Sequence, residues 1–199
     1  MKKIMFNDRY GLTQAVIEGR KTMTRRLADP KQKYQSFKWW QPCLELGFGL
    51  YGLIEDDDWE SIEPKYNLGE IMAVAQSYRD IGAECFETDA SILRAPELHR
   101  MAGWANKMFV KSELMPRRIR ITGIKGERLQ DISNADCLKE GIRYFPEINK
   151  FYFEDIRREE GFYFDNPREA FAALIDKVSG RGTWASNPWV VVYEFDLLK

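Results

Sequence analysis

The chain has 199 residues and a formal net charge of −1, from 30 basic and 31 acidic side chains. Hydrophobic residues make up 44% of the sequence and charged residues 31%, which excludes a disordered, collagen-like or low-complexity chain. A chain of this length buries enough surface to fold as one domain without disulfides. Because the net charge supplies no overall positive field, any contact with nucleic acid must come from a local basic patch.

Cysteine and histidine are too few or too scattered for several kinds of site. Cys43, Cys85 and Cys137 form no CxxC pair, which argues against a zinc site or a disulfide framework and fits a reducing cytoplasm. His99 is the single histidine, so a multi-histidine metal centre is excluded. We therefore expect no metal and no cofactor. Neither the start of the chain nor its short apolar runs predict a signal peptide or a membrane span.

The first half of the chain begins with a predicted helix over about residues 8–18. Asn7 or Asp8 serves as its N-cap and Gly19 as its stop. The segment that follows predicts a turn leading into a strand. The later features of this half are an insertion without sustained period at 28–65, a turn at Asn67-Leu68-Gly69-Glu70, a buried strand at 71–75 and a weakly helical excursion at 79–107.

The second half shows clearer periods. Arginines at 118 and 120 alternate with isoleucines at 119 and 121, which predicts a strand over 117–129 with one buried face. Capping residues and glycine stops then predict two helices, from Asn134 to Glu140 and from Asn166-Pro167 to Gly180. The β-rich run at 189–195 predicts a central strand.

Strands separated by single short helices, without a regular βαβ rhythm, predict an α+β fold. We expect a small, mostly antiparallel β-barrel decorated by helices. No repeat or linker divides the chain, so residues 1–199 are expected to form a single domain.

The densest group of chemically active side chains is Gly19-Arg20-Lys21-Thr22-Met23-Thr24-Arg25-Arg26, with four cations and two hydroxyls. Burial beside other cations lowers the pKa of a lysine, so Lys21 could act as a base toward a threonine hydroxyl or hold an oxyanion. The alternative is a solvated basic edge whose charges oppose the dipole of the preceding helix. The residues alone leave both interpretations open.

Other candidate residues carry the same ambiguity. Glu140 ends a short helix, where carbonyl dipoles disfavour a carboxylate, so it is either a site residue or an exposed helix end. Arg118 and the neighbouring arginines either bind phosphates or cover a wet strand face. Trp184 lies in a turn-like segment and either stacks on a base or packs in the core, and Tyr78 is a second aromatic that could stack.

Four blocks of the chain resemble the ASCH domain, a PUA-like β-barrel family. They are the Gly-Arg-Lys-Thr-x-Thr-x-Arg block at 19–26, the Gly69-Glu70 turn, the segment from Glu127 to Ile142 and the closing Asn-Pro-Trp strand at 187–195. The segments near 28–66, 79–112 and 143–180 are longer than in the minimal family core. These insertions resemble the larger form found in phage and prophage-type bacterial proteins.

The resemblance implies a cleft suited to RNA or a modified nucleoside. Small bacterial ASCH proteins that hydrolyse acetylcytidine use a Lys and a Thr of the Lys-Thr-x-Thr motif with a downstream Glu, which implies catalytic roles for Lys21, Thr24 and Glu140. Thr24 would attack the amide carbonyl or position a water, Lys21 would take the proton, and Glu140 would orient Lys21. Arg20, Arg26 or a backbone amide would steady the oxyanion.

We therefore expect a cytoplasmic ASCH protein that binds RNA or a modified nucleoside, and metal-free hydrolysis of an acylated cytidine is a candidate activity that the sequence leaves open. The residues expected to bind the ligand are Arg20, Thr22, Arg26, Tyr78, Arg118 and Trp184. The alternative is a non-catalytic RNA-binding module in which the same cations contact phosphates. A third interpretation is a protein-interaction domain that uses the insertions.

Overall fold

The computed structural model describes residues 1–28, 39–42, 50–53, 59–62, 64–85, 100 and 102–198. The strands in chain order are β1 (Lys3–Ile4), β2 (Met23–Leu27), β3 (Trp39–Pro42), β4 (Leu50–Leu53), β5 (Trp59–Ile62), β6 (Ile71–Val74), β7 (Arg118–Arg128), β8 (Arg143–Phe145), β9 (Lys150–Asp155), β10 (Glu160–Phe164) and β11 (Trp189–Leu198). The helices are α1 (Leu12–Ile17), α2 (Tyr78–Cys85), α3 (Asn134–Lys139), α4 (Pro167–Ser179) and α5 (Thr183–Ser186). Much of the predicted insertion at 28–66, part of the one at 79–112, and His99 lie outside the described residues.

The main sheet has five strands in the order β1-β6-β7-β11-β2. Strand β11 is an interior strand between β7 and the edge strand β2, and it pairs antiparallel with both. Its valines, Tyr193 and Phe195 are buried, as expected of a β-branched run with sheet on both sides. The described pairings are antiparallel except that of β1 with β6. The α+β class and the mostly antiparallel pairing are therefore confirmed, while the PUA-like barrel stays a prediction because the described strands form three separate sheets.

Two strand predictions match the structure closely. Ile119 and Ile121 of β7 are buried while Arg118 and Arg120 face outward, as the alternation predicted. Strand β6 follows a turn in which Glu70 N donates to Asn67 O at 3.1 Å and Gly69 adopts φ 78°. A residue with a Cβ is strained in that left-handed conformation, which explains the glycine.

The two later helices also begin and end where their caps predicted. Ser133 Oγ accepts a hydrogen bond from Asp136 N at the start of α3, and Asn166 Oδ1 accepts one from Glu169 N at the start of α4. Pro167 occupies the first turn of α4, where its missing N–H costs nothing. Helix α4 then buries Phe171 and Leu174 against the main core.

The first helix is shorter than predicted. It begins at Leu12, and residues 8–11 form a turn that ends at Gly11 with φ 65° and no side-chain cap. The side chain of Asp8 instead accepts hydrogen bonds from Thr13 and from Lys107 Nζ. Asp8 is therefore not an N-cap, because it is bound to a cation 99 residues away.

The sequence patterns did not predict the three-stranded sheet β10-β9-β8, which lies inside the predicted insertion at 143–180. It packs through aromatic side chains, with Phe153 stacked on Phe162 at 5.0 Å and edge-on to Tyr10 at 5.9 Å between ring centroids. Phe153 belongs to the main core cluster. A third sheet pairs β3, β4 and β5 antiparallel.

Candidate functional site

The catalytic residues predicted from the sequence meet at one cavity of about 370 Å³. Its wall is built by the segment after β1, the segment around β2, the end of α3 and the last turns of α4. The lining includes Phe6, Lys21, Thr24, Arg25, Arg26 and Glu140. Phe6, the segment 21–26 and Glu140 are distant in sequence but line one concave surface, which is the usual form of a small-ligand site.

The backbone brings Lys21 into this cavity through a tight reversal after α1. Gly19 adopts φ 72°, and the amides of Arg20 and Lys21 both donate to Ala15 O at 2.9 Å. Thr22 N then donates to Lys139 O at 3.0 Å. This bond places the start of β2 beside the last residue of α3, so Lys21 faces Glu140.

Lys21 and Glu140 form a buried ion pair. Lys21 Nζ donates to Glu140 Oε2 at 2.5 Å and to the Glu140 carbonyl oxygen at 2.7 Å. The exposed fraction of the side chain is 2% for Lys21 and 6% for Glu140. The two residues are separated by 119 positions, so only the tertiary fold could bring them together. Removing one partner of such a pair leaves an uncompensated charge without water.

Arg25 holds the other oxygen of the same carboxyl. Its Nη1 donates to Glu140 Oε1 at 3.0 Å, while its Nε and Nη2 donate to Glu127 Oε1 at 2.9 and 2.6 Å. Asp136 lies 3.5 Å from Nη2. The guanidinium therefore bridges strand β7 and helix α3, and fixes the orientation of Glu140 toward Lys21. Only 1% of the Arg25 side chain is exposed.

The environment of Lys21 favours its neutral form more than water does. Burial is the largest cause and lowers the pKa of Lys21, while the charge and hydrogen bond of Glu140 raise it against that effect. The nearby charges of Arg26 and Arg25 lower it further. The net direction is downward, which is what an amine needs in order to act as a general base.

Thr24 and Arg26 also line the cavity, from β2. Thr24 is buried, with 5% of its surface exposed. Arg26 Nη2 donates to Met5 O at 2.5 Å, and its Nε is buried without a hydrogen-bond partner among the described residues. The ring of Phe6 lies near two cations, with its centroid 5.9 Å from Lys21 Nζ and 5.7 Å from Arg26 Cζ. An aromatic ring in this position attracts positive charge on its face.

The structure places the other five predicted ligand-binding residues outside the lining of this cavity. Arg20 is exposed and paired with Glu18, and Thr22 is held by main-chain bonds at the entry to β2. Arg118 is on the exposed face of β7. Tyr78 and Trp184 are packed against core clusters, Trp184 edge-on to Phe171 at 6.1 Å. Their geometry fits the structural alternatives described above, and their roles in binding stay predictions.

Sequence reasoning missed Arg25 and Glu127 as parts of the site. Arg25 was visible as one of four cations in the basic block, but its partners are 102 and 115 residues away. Val192 of β11 pairs with Arg25 of β2 on one side and with Lys125 of β7 on the other, so β2 and β7 are aligned with each other across β11. Only that alignment brings Glu127 within reach of Arg25.

Metal-binding groups, membrane-spanning helices and related proteins give no further indication of what this cavity binds. The described ranges contain no group of three His, Cys, Asp or Glu side chains that could hold a metal ion. Within the same ranges, no helix is both long and apolar enough to cross a membrane. A scan against protein-family models, a search of curated proteins and a search of solved structures each found no match.

Proposed function

We propose that the protein is an ASCH-type, PUA-like protein that removes the acyl group from an acylated cytidine bound in the cavity, without a metal. One observation carries the proposal: a lysine with a lowered pKa, a carboxylate bound to it and a threonine line the same cavity. Their identities and order match the Lys-Thr-x-Thr block and downstream Glu on which the resemblance to the ASCH amidohydrolases rests.

The reaction uses Lys21 as the proton carrier. Neutral Lys21 accepts the proton of the Thr24 hydroxyl as the threonine oxygen attacks the amide carbonyl carbon. The ammonium of Lys21 then returns that proton to the leaving exocyclic nitrogen as the carbon–nitrogen bond breaks, which releases the cytidine and leaves an ester on Thr24. Water hydrolyses the ester, with Lys21 accepting a proton from the water and returning it to the Thr24 oxygen.

Glu140 and Arg25 act on Lys21 rather than on the substrate. Glu140 holds Lys21 Nζ through two acceptor oxygens, one of its carboxylate and one of its main-chain carbonyl. The charge of this carboxylate also raises the pKa of Lys21 and so opposes the lowering by burial. Arg25 sets the orientation of Glu140.

The direct test compares two substitutions at Thr24, with acetylcytidine as substrate and a chelator present. Thr24→Val keeps the shape but lacks the hydroxyl, and we expect it to lose at least about 100-fold in kcat/KM. Thr24→Ser keeps the hydroxyl and should retain most of the rate. Equal rates for Thr24→Val and the unaltered protein would refute the nucleophile. Absence of turnover in the unaltered protein would leave the non-catalytic RNA-binding module as the better interpretation.

A further inference from the structure

The lining of the cavity is strongly cationic although the whole chain has a net charge of −1. Glu140 is its single acidic side chain among the described residues. The cations that line it are Lys3, Lys21, Arg25, Arg26 and Lys65. A concave surface with one sign of charge concentrates ions of the opposite sign.

Within the described part of the chain, two of these cations are paired with carboxylates and three are not. Lys21 and Arg25 share the carboxylates of Glu140 and Glu127. The remaining three make only neutral contacts among the described residues. Lys3 Nζ donates to the carbonyl oxygens of Met108 and Val110 at 2.8 Å, Arg26 Nη2 to that of Met5, and Lys65 Nζ lies 5.6 Å from the centroid of Tyr66.

Arg26 carries the clearest sign of a missing partner. Its Nε is buried and finds no hydrogen-bond acceptor in the described part of the chain. A buried donor on a charged group costs free energy when it is unpaired. An anion in the cavity would balance the charge of this guanidinium, and guanidinium groups bind phosphate oxygens well because their N–H groups are fixed in one plane.

Arg26 lies close to Lys21, the proton carrier of the proposed reaction. Arg26 and Lys21 are held beside the same Phe6 ring. Lys65 approaches the same region, because its main-chain N donates to the Tyr193 hydroxyl at 2.9 Å and Tyr193 pairs with Thr24 across the sheet. Arg26 therefore lies beside Lys21 without belonging to its ion pair, and the main chain of Lys65 is bonded to the strand partner of Thr24.

We propose that the natural ligand is a nucleotide rather than a neutral nucleoside, with its phosphate bound by Arg26 and supported by Lys3 and Lys65. The identity of the acylated base rests on the proposed function, whereas the phosphate rests on the charges alone. A cavity of about 370 Å³ lies at the lower end of the range for small-ligand pockets, roughly 300–1,000 Å³. This volume favours a single nucleotide over several residues of a polymer.

Calorimetry with cytidine and cytidine monophosphate tests the phosphate without requiring turnover. We expect the monophosphate to bind at least about tenfold more tightly than cytidine, and this advantage to shrink as salt is raised. Arg26→Gln should remove most of the advantage, because it should weaken the monophosphate by a much larger factor than cytidine. Arg157→Gln, an exposed arginine in the turn between β9 and β10, is the matched control and should change neither affinity.

A second variant guards against a folding defect in Arg26→Gln. Lys65 is exposed, so Lys65→Gln should fold normally and weaken the monophosphate alone by several-fold. The inference is overturned if both ligands bind equally to the unaltered protein. It is also overturned if Arg26→Gln weakens both ligands equally, or if a short RNA binds while the monophosphate does not.

These outcomes are separate from those of the proposed function. If the monophosphate binds in an Arg26-dependent way but neither acetylcytidine nor its monophosphate is hydrolysed, the amidohydrolase is refuted and the phosphate subsite stands. If acetylcytidine and its monophosphate are hydrolysed with equal kcat/KM and Arg26→Gln slows both equally, Arg26 acts on the reacting centre. The phosphate subsite is then refuted and the hydrolase stands.

Discussion

Glu140→Gln should lower stability and shift the pH dependence of activity in one substitution. The carboxyl holds Lys21 Nζ at 2.5 Å and Arg25 Nη1 at 3.0 Å, and all three side chains are nearly inaccessible to water. Breaking a buried pair costs roughly 3–5 kcal/mol. Because the glutamine oxygen still accepts a hydrogen bond and Arg25 keeps Glu127, we expect the lower end, about 3 kcal/mol.

The predicted loss corresponds to a Tm lower by about 6–12 °C for a chain of this size. The pH effect follows from the same contact. Glu140 raises the pKa of Lys21 against the effect of burial, so its neutralisation lowers that pKa further. Lys21 then stays neutral at lower pH, and the acid limb of the rate profile for acetylcytidine moves toward lower pH, while the maximal rate falls because Lys21 is less well oriented.

Thermal unfolding and a pH–rate profile measure the two effects. The matched control is Glu154→Gln, which breaks the exposed pair of Arg143 and Glu154 at 3.4 Å. A surface pair of this kind contributes less than about 1 kcal/mol, so the control should change Tm little and the profile not at all. The reasoning is refuted if Glu140→Gln behaves like Glu154→Gln, or if its acid limb moves toward higher pH.

Three further predictions follow from burial and capping. The pKa of Lys21 is lowered in the folded state, so the unfolded state binds more protons at pH values between the folded and unfolded pKa. The free energy of unfolding therefore rises with pH through that window. In denaturant titrations, Lys21→Met should remove this pH dependence. Burial raises the pKa of Cys137 to about 12. In a Cys43→Ser, Cys85→Ser background, the native protein should therefore resist alkylation at pH 8 while the unfolded protein reacts. Rapid labelling of the native protein would contradict the burial of Cys137. Asn166→Ala removes the cap of α4 and should cost about 1 kcal/mol in chemical unfolding, whereas an unchanged midpoint would show that the cap contributes nothing.

Local signals in the sequence predicted the elements whose stability is local. Helices α3 and α4 carry their own caps, and β7 shows a strict alternation of arginine and isoleucine. In contrast, β9 reads Lys-Phe-Tyr-Phe-Glu-Asp, with aromatic residues at successive positions, so no alternation marks its buried face. Its strand character comes from pairing with β8 and β10 and from stacking of rings across strands.

The candidate site was predictable only in part. The basic block and the downstream glutamate indicated Lys21, Thr24 and Glu140, and the structure brings all three to one cavity. Arg25 and Arg26 are adjacent arginines of the same basic block. In the structure, carboxylates bind the Arg25 guanidinium, whereas Arg26 Nε has no hydrogen-bond acceptor among the described residues. Only the register of β2 against β11 and β7 distinguishes them, and that register is a tertiary property.

The central claim is that Lys21 is the proton carrier of a metal-free hydrolysis. Its most direct test measures the turnover of acetylcytidine, with a chelator present, by two matched lysine variants. Lys21→Met should abolish measurable turnover while retaining a cooperative thermal transition, since Arg25 still pairs with Glu140. Lys111→Met, at an exposed lysine outside the cavity lining, should keep the rate of the unaltered protein. Turnover that persists in Lys21→Met would contradict the account.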